Sequence, residues 1–414
     1  MKLAVSLFLA TVAVLAFSAA RAAPAAPPED GQARVTAWVL VELEEDAPPP
    51  ALDGRRLEPV FGRWYRLFLD RGERVDAALA QTAALPGVAG VYPDFIVQAG
   101  APAAAPARLW PGDPLYARQW HMAQVQAERA WDASDGSGEV VAVLDTGVAT
   151  AGADGFCRPL HSEYNALTNG AAPGAAVDRN GHGTHVAGTI AGCAGNGAGV
   201  AGLAYGAAIM AVKVLGDSGN GNTSDIAEGI VWAADHGAGV INMSLGASCG
   251  ANWPVCSSPI VNDAVTYAAA ADVVIVAAAG NTNKAYVNQP ANHPEIIAVS
   301  ATDVARNRAP YSSWGAAVDL TAPGGNAAAD LNGDGYPDGV LQETFDRATE
   351  PDTWGYYYYQ GTSMAAPHVA GAAALLRSCA PEATRGEIRA ALEGGALDLG
   401  AAGWAAIYGP GFLP

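Results

Sequence analysis

Short, almost uninterrupted runs of apolar residues recur along the C-terminal three quarters of the chain. The runs lie at 140–144, 209–215, 240–245, 273–278 and 296–300. Stretches with helical spacing separate them, at 184–194, at 224–236 and around 266–270. Strands without alternating polar positions are typically buried on both faces, and helices between successive strands allow the strands to run parallel. The pattern predicts an α/β fold with a parallel sheet flanked by helices on both faces.

The N-terminal part of the chain has a different pattern. Strands are predicted at 35–43, 64–69 and 88–97, and a short helix is predicted at 75–83. A low-complexity Ala/Pro segment at 99–107 follows, where cleavage is easy because little structure opposes it. We therefore predict a small α+β domain within residues 23–108, followed by a larger domain at 109–414. Either the small domain is removed or it stays attached as an ordinary N-terminal domain.

One apolar stretch, at 364–376, is predicted to be a helix buried on all sides. Ser363 lies at its entrance, Gly361 allows a tight turn before it, and Pro367 is expected in the first helical turn, where its missing N–H has no partner. A hydroxyl at a helix N-terminus lies in a positive field, which suits a nucleophile whose product is an oxyanion. The alternative is that Ser363 only caps the helix.

A serine nucleophile needs a base, and the histidines offer one dense cluster. His182 and His185 lie in Asn-Gly-His-Gly-Thr-His at 180–185, and Asp145 ends the apolar run at 140–144. An aspartate at the carboxyl end of a strand, a histidine opening a helix and a serine opening another helix form a catalytic triad. Their order along the chain is Asp145, His182, Ser363.

These blocks resemble those of the subtilisin-like serine proteases. Ala-Ala-Ala-Gly-Asn at 277–281 is similar to the oxyanion-hole segment of that family, and the order of the triad also matches. The resemblance implies that Asp145 orients His182, that His182 is the general base, that Ser363 is the nucleophile, and that Asn281 stabilises the oxyanion. It implies a secreted endopeptidase that acts on proteins and peptides through an acyl-enzyme and is active as a monomer.

The same resemblance assigns a role to the N-terminal region. Residues 23–108 are similar to the inhibitory propeptides that precede these proteases, and the protease-like start at Asp113 makes removal by autoprocessing the better prediction. The tail at 88–97 is expected to run through the active site in the direction of a substrate.

Substrate-binding residues are also implied by the resemblance. Small, non-acidic walls of the primary specificity pocket indicate broad specificity with an apolar or aromatic P1 residue, and Gly219, Asn220 and Gly221 resemble the edge onto which an extended substrate adds as a strand. The wall residues are Ser244, Leu245, Gly246, Ala278, Ala279 and Gly280.

Residues 330–338 read Asp-Leu-Asn-Gly-Asp-Gly-Tyr-Pro-Asp, which matches the first part of a calcium loop. The predicted ligands of a structural Ca²⁺ ion are Asp330, Asn332, Asp334, Tyr336 and Asp338. Position twelve would be Leu341, so the bidentate acid is missing, although Glu343 is near in sequence. A dockerin-type module would need a second copy, and a plain polar turn is the alternative. The family's other calcium loop survives only as Gly-Asn-Gly at 195–197, without an evident carboxylate partner.

Three other interpretations of these motifs fit the sequence less well. His182 and His185 are three residues apart, whereas zinc helices use a His-Glu-x-x-His spacing, so no catalytic metal is predicted and His185 is expected in the core. Gly-x-Ser-x-Gly at 246–250 fits an esterase elbow around Ser248, but a loop follows instead of the required helix. The last rival is an inactive, protease-shaped binding protein, which has no need of a complete triad and an oxyanion asparagine.

The N-terminal sequence and the overall charge indicate the compartment of the protein and the partners that it is expected to bind. Residues 1–22 read as a cleavable signal peptide, so the protein is expected to be secreted and not membrane-bound afterwards. The 414 residues include 22 basic and 41 acidic ones, and the net charge of −19 argues against nucleic acid as a partner. The acidity favours cation binding or simple solubility.

Secretion permits disulfides, and the chain has five cysteines, so one is left over. Cys249 and Cys256 bracket a short loop that could close on itself. The fold of the resembling family makes a pair of Cys157 with Cys193 plausible, and Cys379 would then be a free thiol in the core. The sequence leaves the pairing open.

Overall fold

The structure is a computed structural model that describes residues 34–45, 47–50, 55–69, 73, 75–99, 115–247, 258–346, 353–399 and 407–414. The predicted signal peptide, the Ala/Pro linker beyond Ala99, Ser248, Cys249 and Cys256 lie outside the described residues. No helix in the described part of the chain is long and apolar enough to cross a membrane.

The N-terminal region is an antiparallel sheet with one helix. Its elements are β1 (Arg34–Leu43), β2 (Leu57–Phe61), β3 (Trp64–Phe68), α1 (Val75–Ala83) and β4 (Val88–Ala99). β1 pairs with β3 and β4, and β2 pairs with β3. A small core of its own includes Val39, Val41, Leu67 and Ala78. The predicted strand–helix–strand order is confirmed, and this region fits a propeptide. The sequence analysis missed β2, a five-residue strand.

The larger part begins with a short 3-10 turn and alternates strands and helices. Its elements are α2 (Trp120–Gln124), α3 (Ala127–Trp131), β5 (Val140–Asp145), β6 (Ser162–Asn165), α4 (His182–Ala191), β7 (Ala208–Lys213), β8 (Asn220–Asn222), α5 (Thr223–Asp235), β9 (Val240–Met243), β10 (Leu245–Gly246), α6 (Pro259–Ala270), β11 (Val274–Ala278), β12 (Ile296–Thr302), β13 (Leu320–Pro323), β14 (Val340–Phe345), β15 (Trp354–Tyr359), α7 (Thr362–Cys379) and α8 (Arg385–Gly395).

Seven strands form a parallel sheet in the order β13-β12-β11-β9-β5-β7-β6. Successive residues of β5 enter opposite cores: Val141 and Val143 pack with α4 and α7, and Ala142 and Leu144 pack with α5 and α6. The predicted α/β fold with helices on both faces is therefore confirmed. The apolar run at 240–245 is not one strand, because Ser244 separates β9 from β10.

The tail of β4 lies between two short strands of the larger part. It pairs antiparallel with β8, where Val97 faces Gly221, and with β10, where Gln98 faces Gly246. The N-terminal region and the substrate edge predicted from sequence thus share one backbone ladder.

Candidate active site

The site lies at the carboxyl ends of three neighbouring strands, β5, β9 and β11. β5 ends at Asp145, Ser244 follows β9, and Gly280 and Asn281 follow β11 within three residues. In parallel sheets of this kind, ligands bind outside the carboxyl ends of the strands. The sequence expectation that places Asp145 at this edge is confirmed.

Asp145 and His182 are buried and directly hydrogen-bonded. Asp145 Oδ1 lies 2.8 Å from His182 Nδ1, and it also accepts the Thr146 N–H at 2.7 Å. Asp145 has no exposed surface and His182 is 3% exposed. The bond assigns the proton of the neutral imidazole to Nδ1 and leaves Nε2 as an acceptor. Nε2 is buried without a hydrogen-bond partner among the described residues.

A glycine allows the helix of His182 to approach this strand. A Cβ on Gly183 would lie 2.2 Å from the Gly147 carbonyl oxygen and 3.1 Å from the Asp145 side chain. The Gly183 N–H instead donates to Thr146 Oγ1 at 2.9 Å. A side chain at position 183 would push α4 away from β5 and break the bond between His182 and Asp145.

The environment of His182 favours its charged form. Burial lowers the pKa of His182, but the charge of Asp145, the hydrogen bond to it and the charge of Asp178 together raise the pKa above 6.5. The imidazole is therefore prepared to take up a proton.

Ser363 is the second residue of α7 and not its cap. The helix begins at Thr362 after Gly361, which has no side-chain capping bond, so the alternative of a purely capping serine is wrong. Ser363 Oγ donates to the Ser244 carbonyl at 3.0 Å. The structure thus joins Asp145 to His182 but turns the Ser363 hydroxyl toward Ser244 instead of His182 Nε2.

Pro367 lies in the second turn of α7, contrary to the expectation of a first-turn position. A proline there has no N–H to donate to the Ser363 carbonyl one turn earlier. Ser244 Oγ donates to that carbonyl at 2.7 Å, and it accepts from Asn242 Nδ2 at 3.0 Å. Ser244 therefore contacts Ser363 through both its hydroxyl and its carbonyl, which fixes the backbone of the serine.

Asn281 is oriented by a residue that the sequence analysis did not single out. Its Oδ1 accepts both the N–H and the hydroxyl of Thr362 at 2.9 Å each. The Thr362 hydroxyl in turn accepts the Gly280 N–H at 3.1 Å. With Oδ1 engaged, the amide presents its NH₂ group on its other side. The Gly-Thr-Ser sequence could have indicated Thr362, since it precedes the candidate nucleophile.

The predicted pocket walls lie near each other, and one further side chain lies between them. Ser244 and Leu245 are buried, as are Ala278, Ala279 and Gly280. A Cβ on Gly280 would lie 2.5 Å from Asn288 Nδ2, and a Cβ on Gly246 would lie 3.3 Å from Asn288 Cβ. Asn288 is 6% exposed, and its Oδ1 has no hydrogen-bond partner in the described part of the chain. Sequence reasoning missed Asn288, which reaches this place from a loop after β11.

The predicted substrate edge is only partly a strand. Asn220 and Gly221 belong to β8 and pair with β4, whereas Gly219 precedes it in a turn with φ of +79°. That left-handed conformation favours glycine.

His185 lies in the core, as expected, and its hydrogen bonds and ring contact are made with residues other than Asp145, the partner of His182. Its Nε2 is 3.1 Å from the Val340 carbonyl oxygen, and its ring stacks on Tyr359 with centroids 4.3 Å apart. Burial lowers the pKa of His185 to about 3. Within the described residues, no three His, Cys, Asp or Glu side chains are grouped closely enough to hold a metal ion.

The carboxylates of the predicted calcium loop accept hydrogen bonds from backbone N–H groups of the same loop. Asp330 accepts the N–H groups of Asp334 and Gly335 at 3.1 Å each, and Asp334 accepts that of Tyr336 at 2.8 Å. Asp338 is fully buried, and its Oδ1 finds no hydrogen-bond partner in the segments that the structure describes. Burial, followed by the charges of Asp330 and Asp334, raises the pKa of Asp338.

Glu343 does not complete this loop. Its carboxylate accepts the N–H groups of Ala153, Asp154 and Gly155 at 2.7–3.2 Å, on a different part of the molecule.

The second loop does have a carboxylate partner, which the sequence analysis did not find. Asp154 accepts from Asn196 Nδ2 at 2.8 Å and from the Val200 N–H at 2.6 Å. Burial, opposed by these hydrogen bonds, raises the pKa of Asp154 to about 6. The partner was missed because Asp154 lies far from Asn196 in sequence.

The cysteines are partly as expected. Cys157 and Cys193 form a disulfide. Cys379 is free, but it is exposed and its thiol faces the Ala133 carbonyl, so the expectation of a core thiol is wrong. The last turn of α7 leaves the apolar core, which explains the difference.

Comparisons with known proteins agree with this geometry. Residues 136–411 match the subtilase family. The chain is 40% identical over 299 residues to Subtilisin Savinase of Lederbergia lenta, which covers 71% of this chain and 96% of that protein. It is 36% identical over 348 residues to an extracellular protease of Xanthomonas campestris pv. campestris, covering 76% of this chain and 56% of that protein. A solved protease structure from Pseudoalteromonas arctica superimposes with a TM-score of 0.63 at 36% identity, covering 73% of this chain and 96% of that one.

Proposed function

Because this chain belongs to the subtilase family of serine endopeptidases, we propose that it hydrolyses peptide bonds of proteins with Asp145, His182 and Ser363 as its catalytic triad. The observation that carries this proposal is the buried bond between Asp145 and His182, at the edge where α7 presents Ser363 and with Nε2 free of any partner among the described residues. A protein that only binds peptides would not need to bury an oriented imidazole with an empty acceptor.

Catalysis begins when the Ser363 hydroxyl rotates from the Ser244 carbonyl to His182 Nε2. Catalytic hydrogen bonds are often poorly aligned before substrate binds, so this reorientation is expected. His182 takes the proton as Ser363 Oγ attacks the carbonyl carbon, and Asp145 stabilises the imidazolium. His182 then protonates the leaving amine, and a water molecule, activated by the same imidazole, hydrolyses the acyl-enzyme.

The negative oxygen of each tetrahedral intermediate would be held by two donors. One is Asn281 Nδ2, whose orientation follows from the two bonds that Thr362 donates to Oδ1. The other is the backbone N–H of Ser363 at the N-terminus of α7. A single donor of this kind contributes about 3–4 kcal/mol to transition-state stabilisation.

The P1 side chain would enter between the walls at 244–246 and 278–280. Small residues line both walls and no carboxylate is present among them, which supports an apolar P1 residue and broad specificity. The Asn288 amide between Gly246 and Gly280 limits the depth of this slot. The substrate backbone would add as a strand between β8 and β10, where the β4 tail now lies.

The N-terminal region would act as an inhibitory propeptide. Its β4 tail occupies the substrate ladder, and its body contacts α5: Asp94 accepts from Ser224 Oγ at 2.6 Å, and Arg66 pairs with Asp225 at 2.6 Å. The predicted cleavage lies in the linker beyond Ala99.

Maturation can be tested with the full chain. Wild type should yield a fragment of about 30 kDa, estimated from residue number, and Ser363→Ala should accumulate as the full-length precursor. Trimming of Ser363→Ala at the same position, in cells lacking other proteases, would show that the chain does not process itself.

Calcium is proposed as a structural ion, since subtilases commonly bind it. Asp330, Asn332, Asp334 and Asp338 would supply side-chain oxygens, and Tyr336 its backbone carbonyl. The fit rests on the oxygen-only donor set, which suits a hard cation, and on the buried Asp338 Oδ1 without a partner among the described residues. The three carboxylates are not grouped closely enough in the described residues to hold an ion, so they would have to move together when it binds. Asp154 and Asn196 form a second candidate.

Chelation should lower the melting temperature, because an ion that binds only the folded state stabilises it. Asp334→Ala should melt lower than wild type in calcium and respond less to chelator. Unchanged melting and an unchanged response would mean that the loop at 330–338 binds nothing.

Secretion is proposed from the predicted signal peptide at 1–22 and from the extracellular relative. The protein should be recovered from outside the cytoplasm without residues 1–22, and recovery of an intact N-terminus from the cytoplasm would exclude it.

Peptidase activity itself is tested on an unstructured polypeptide. Ser363→Ala should abolish hydrolysis, whereas Ser248→Ala should leave most of it. Activity that depends on Ser248 instead would support the esterase elbow.

A further inference from the structure

Two carboxylates face the helix that carries His182, and the triad uses only one of them. Asp145 comes from β5 and bonds to the imidazole. Asp178 comes from the loop before α4, is 3% exposed and accepts hydrogen bonds from residues 180, 181 and 184 at the start of the helix. The triad gives no reason for this second buried charge.

Both oxygens of Asp178 are bonded at the start of α4, Oδ1 to the two residues before the helix and Oδ2 to its first turn. Oδ1 accepts the N–H groups of Asn180 at 2.8 Å and Gly181 at 3.1 Å. Oδ2 accepts the Thr184 N–H at 3.0 Å and the Thr184 hydroxyl at 2.7 Å. The N-cap residue Gly181 has no side chain to do this, so Asp178 satisfies these donors from outside the helix.

His182 is the first residue of α4, where the helix field opposes a positive charge. A general base in this position is hindered at the moment it becomes an imidazolium. A carboxylate bonded to the same amides places a negative charge where the helix field is positive.

We propose that Asp178 is a positioning residue for the proposed general base His182: it holds the first turn of α4 and its charge offsets the helix field, so that the imidazole can take up a proton during catalysis. This inference rests on the role proposed for His182. Asp145 sets the tautomer through direct contact, whereas Asp178 acts through the helix backbone and through space.

The other charged and titratable groups around α4 do not take this role. Lys213 of β7 binds the Thr146 carbonyl and Asp217. Glu343 of β14 is bonded to the amides at 153–155. His185 of α4 and His368 of α7 are buried, with pKa values lowered by burial to about 3 and about 4, so both are neutral.

The test is the pKa of His182, measured in two ways. On processed enzyme, Asp178→Asn should lower the acid-limb midpoint of kcat/KM by about 0.5–1 pH unit, since one nearby negative charge is lost. Asp178→Glu should retain most of the wild-type midpoint. Asp303→Asn is the control: Asp303 is 6% exposed and accepts the N–H groups of Ala305 and Asn307, and its loss should not move the midpoint.

The second measurement needs neither activity nor maturation. Imidazole NMR titration of His182 in full-length Ser363→Ala, with and without Asp178→Asn, should show the same downward shift. An unchanged His182 pKa in the variant, even with a lower melting temperature, would overturn the proposal and leave Asp178 as a helix cap. Because the titration reads His182 directly, it gives its answer whether or not the protein proves to be a peptidase.

Discussion

The N-termini of α4 and α7 are built alike, but the groups that accept their first N–H bonds differ in charge. Both helices start at the carboxyl edge of the sheet, and both follow a glycine N-cap that makes no side-chain capping bond. At α4, the carboxylate of Asp178 accepts the first-turn donors. At α7, the neutral amide oxygen of Asn281 accepts the Thr362 N–H, and the first turn contains no acidic residue.

The difference corresponds to the charge that each helix must support. In the proposed mechanism His182 on α4 becomes positive, and a carboxylate at the helix terminus favours that charge. The oxyanion proposed at α7 would be negative, and there the first-turn donor of Thr362 is bonded to the neutral amide oxygen of Asn281, which leaves the positive field of the helix terminus in place. A helix N-terminus can therefore support either the imidazolium or the oxyanion, and the residue that caps it decides which of the two charges it favours.

Removing the carboxylate that contacts His182 of α4 directly should have the largest effect on kcat. Asp145→Asn should lower kcat by about 10⁴-fold, because the amide favours the wrong tautomer of His182. Steady-state kinetics on a peptide substrate would measure this, with Asp303→Asn as the matched control. A loss of tenfold or less would mean that Asp145 does not orient the base.

Breaking the α7 side should cost less. Asn281→Ala should lower kcat by about 10²–10³-fold with little change in KM, since the donor acts on the oxyanion and not on bound substrate. A raised KM with unchanged kcat would place Asn281 in ground-state binding instead.

Removing the residue that orients Asn281 should lower kcat less than removing Asn281 itself. Thr362→Val removes the hydroxyl that donates to Asn281 Oδ1, and we expect a loss of about 5–10-fold in kcat, the size of one hydrogen bond. Thr362→Ser keeps the hydroxyl and should stay near wild type. Equal losses in both variants would show that the hydroxyl is not what matters at this position.

Ser244 should affect stability more than rate. Ser244→Ala removes the hydroxyl that donates to the Ser363 carbonyl, where Pro367 offers no N–H, and we expect a loss of about 1–3 kcal/mol in the free energy of unfolding. Thermal or denaturant unfolding of the Ser363→Ala background would measure it. Unchanged stability would mean that water replaces the hydroxyl.

The smallest expected effect is on the pH dependence of kcat/KM, which should follow the residues of α4 and not those of α7. His182 must be neutral to act as base, and its pKa lies above 6.5, so kcat/KM should fall as the pH drops through that pKa and persist at alkaline pH. Asn281→Ala should have the same midpoint as wild type, because α7 carries no titrating group of the mechanism. A shifted midpoint in that variant would show that the two sides are electrostatically coupled.

The sequence was sufficient for those parts of the fold that depend on local patterns. Uninterrupted apolar runs predicted β5, β7, β11 and β12, and the predicted helix at 75–83 has the observed bounds of α1. β6 was missed because Ser162–Asn165 is polar and becomes a strand only by pairing with β7. β13 likewise pairs with a strand outside its own segment, β12, and β14 and β15 pair antiparallel with each other across residues 346–353.

At the candidate site, the residue types and the pairing of Asp145 with His182 were predictable, and the residues that support them were not. Asp145, His182, Ser363 and Asn281 stand in recognisable blocks. The bonds from Thr362 to Asn281, from Ser244 to Ser363 and from Asn196 to Asp154 join separate parts of the chain, so no local pattern indicates them. Asp178 is the exception, since an aspartate shortly before a helix is a common capping signal.

Covalent labelling tests the central claim most directly. Purified, processed protein is treated with a serine-directed phosphonate, and the adduct is located by peptide mass spectrometry. We predict a single adduct on Ser363, formed together with the loss of peptidase activity, and no adduct in Ser363→Ala. An adduct on Ser248, or full peptidase activity after Ser363 has been labelled, would contradict the account.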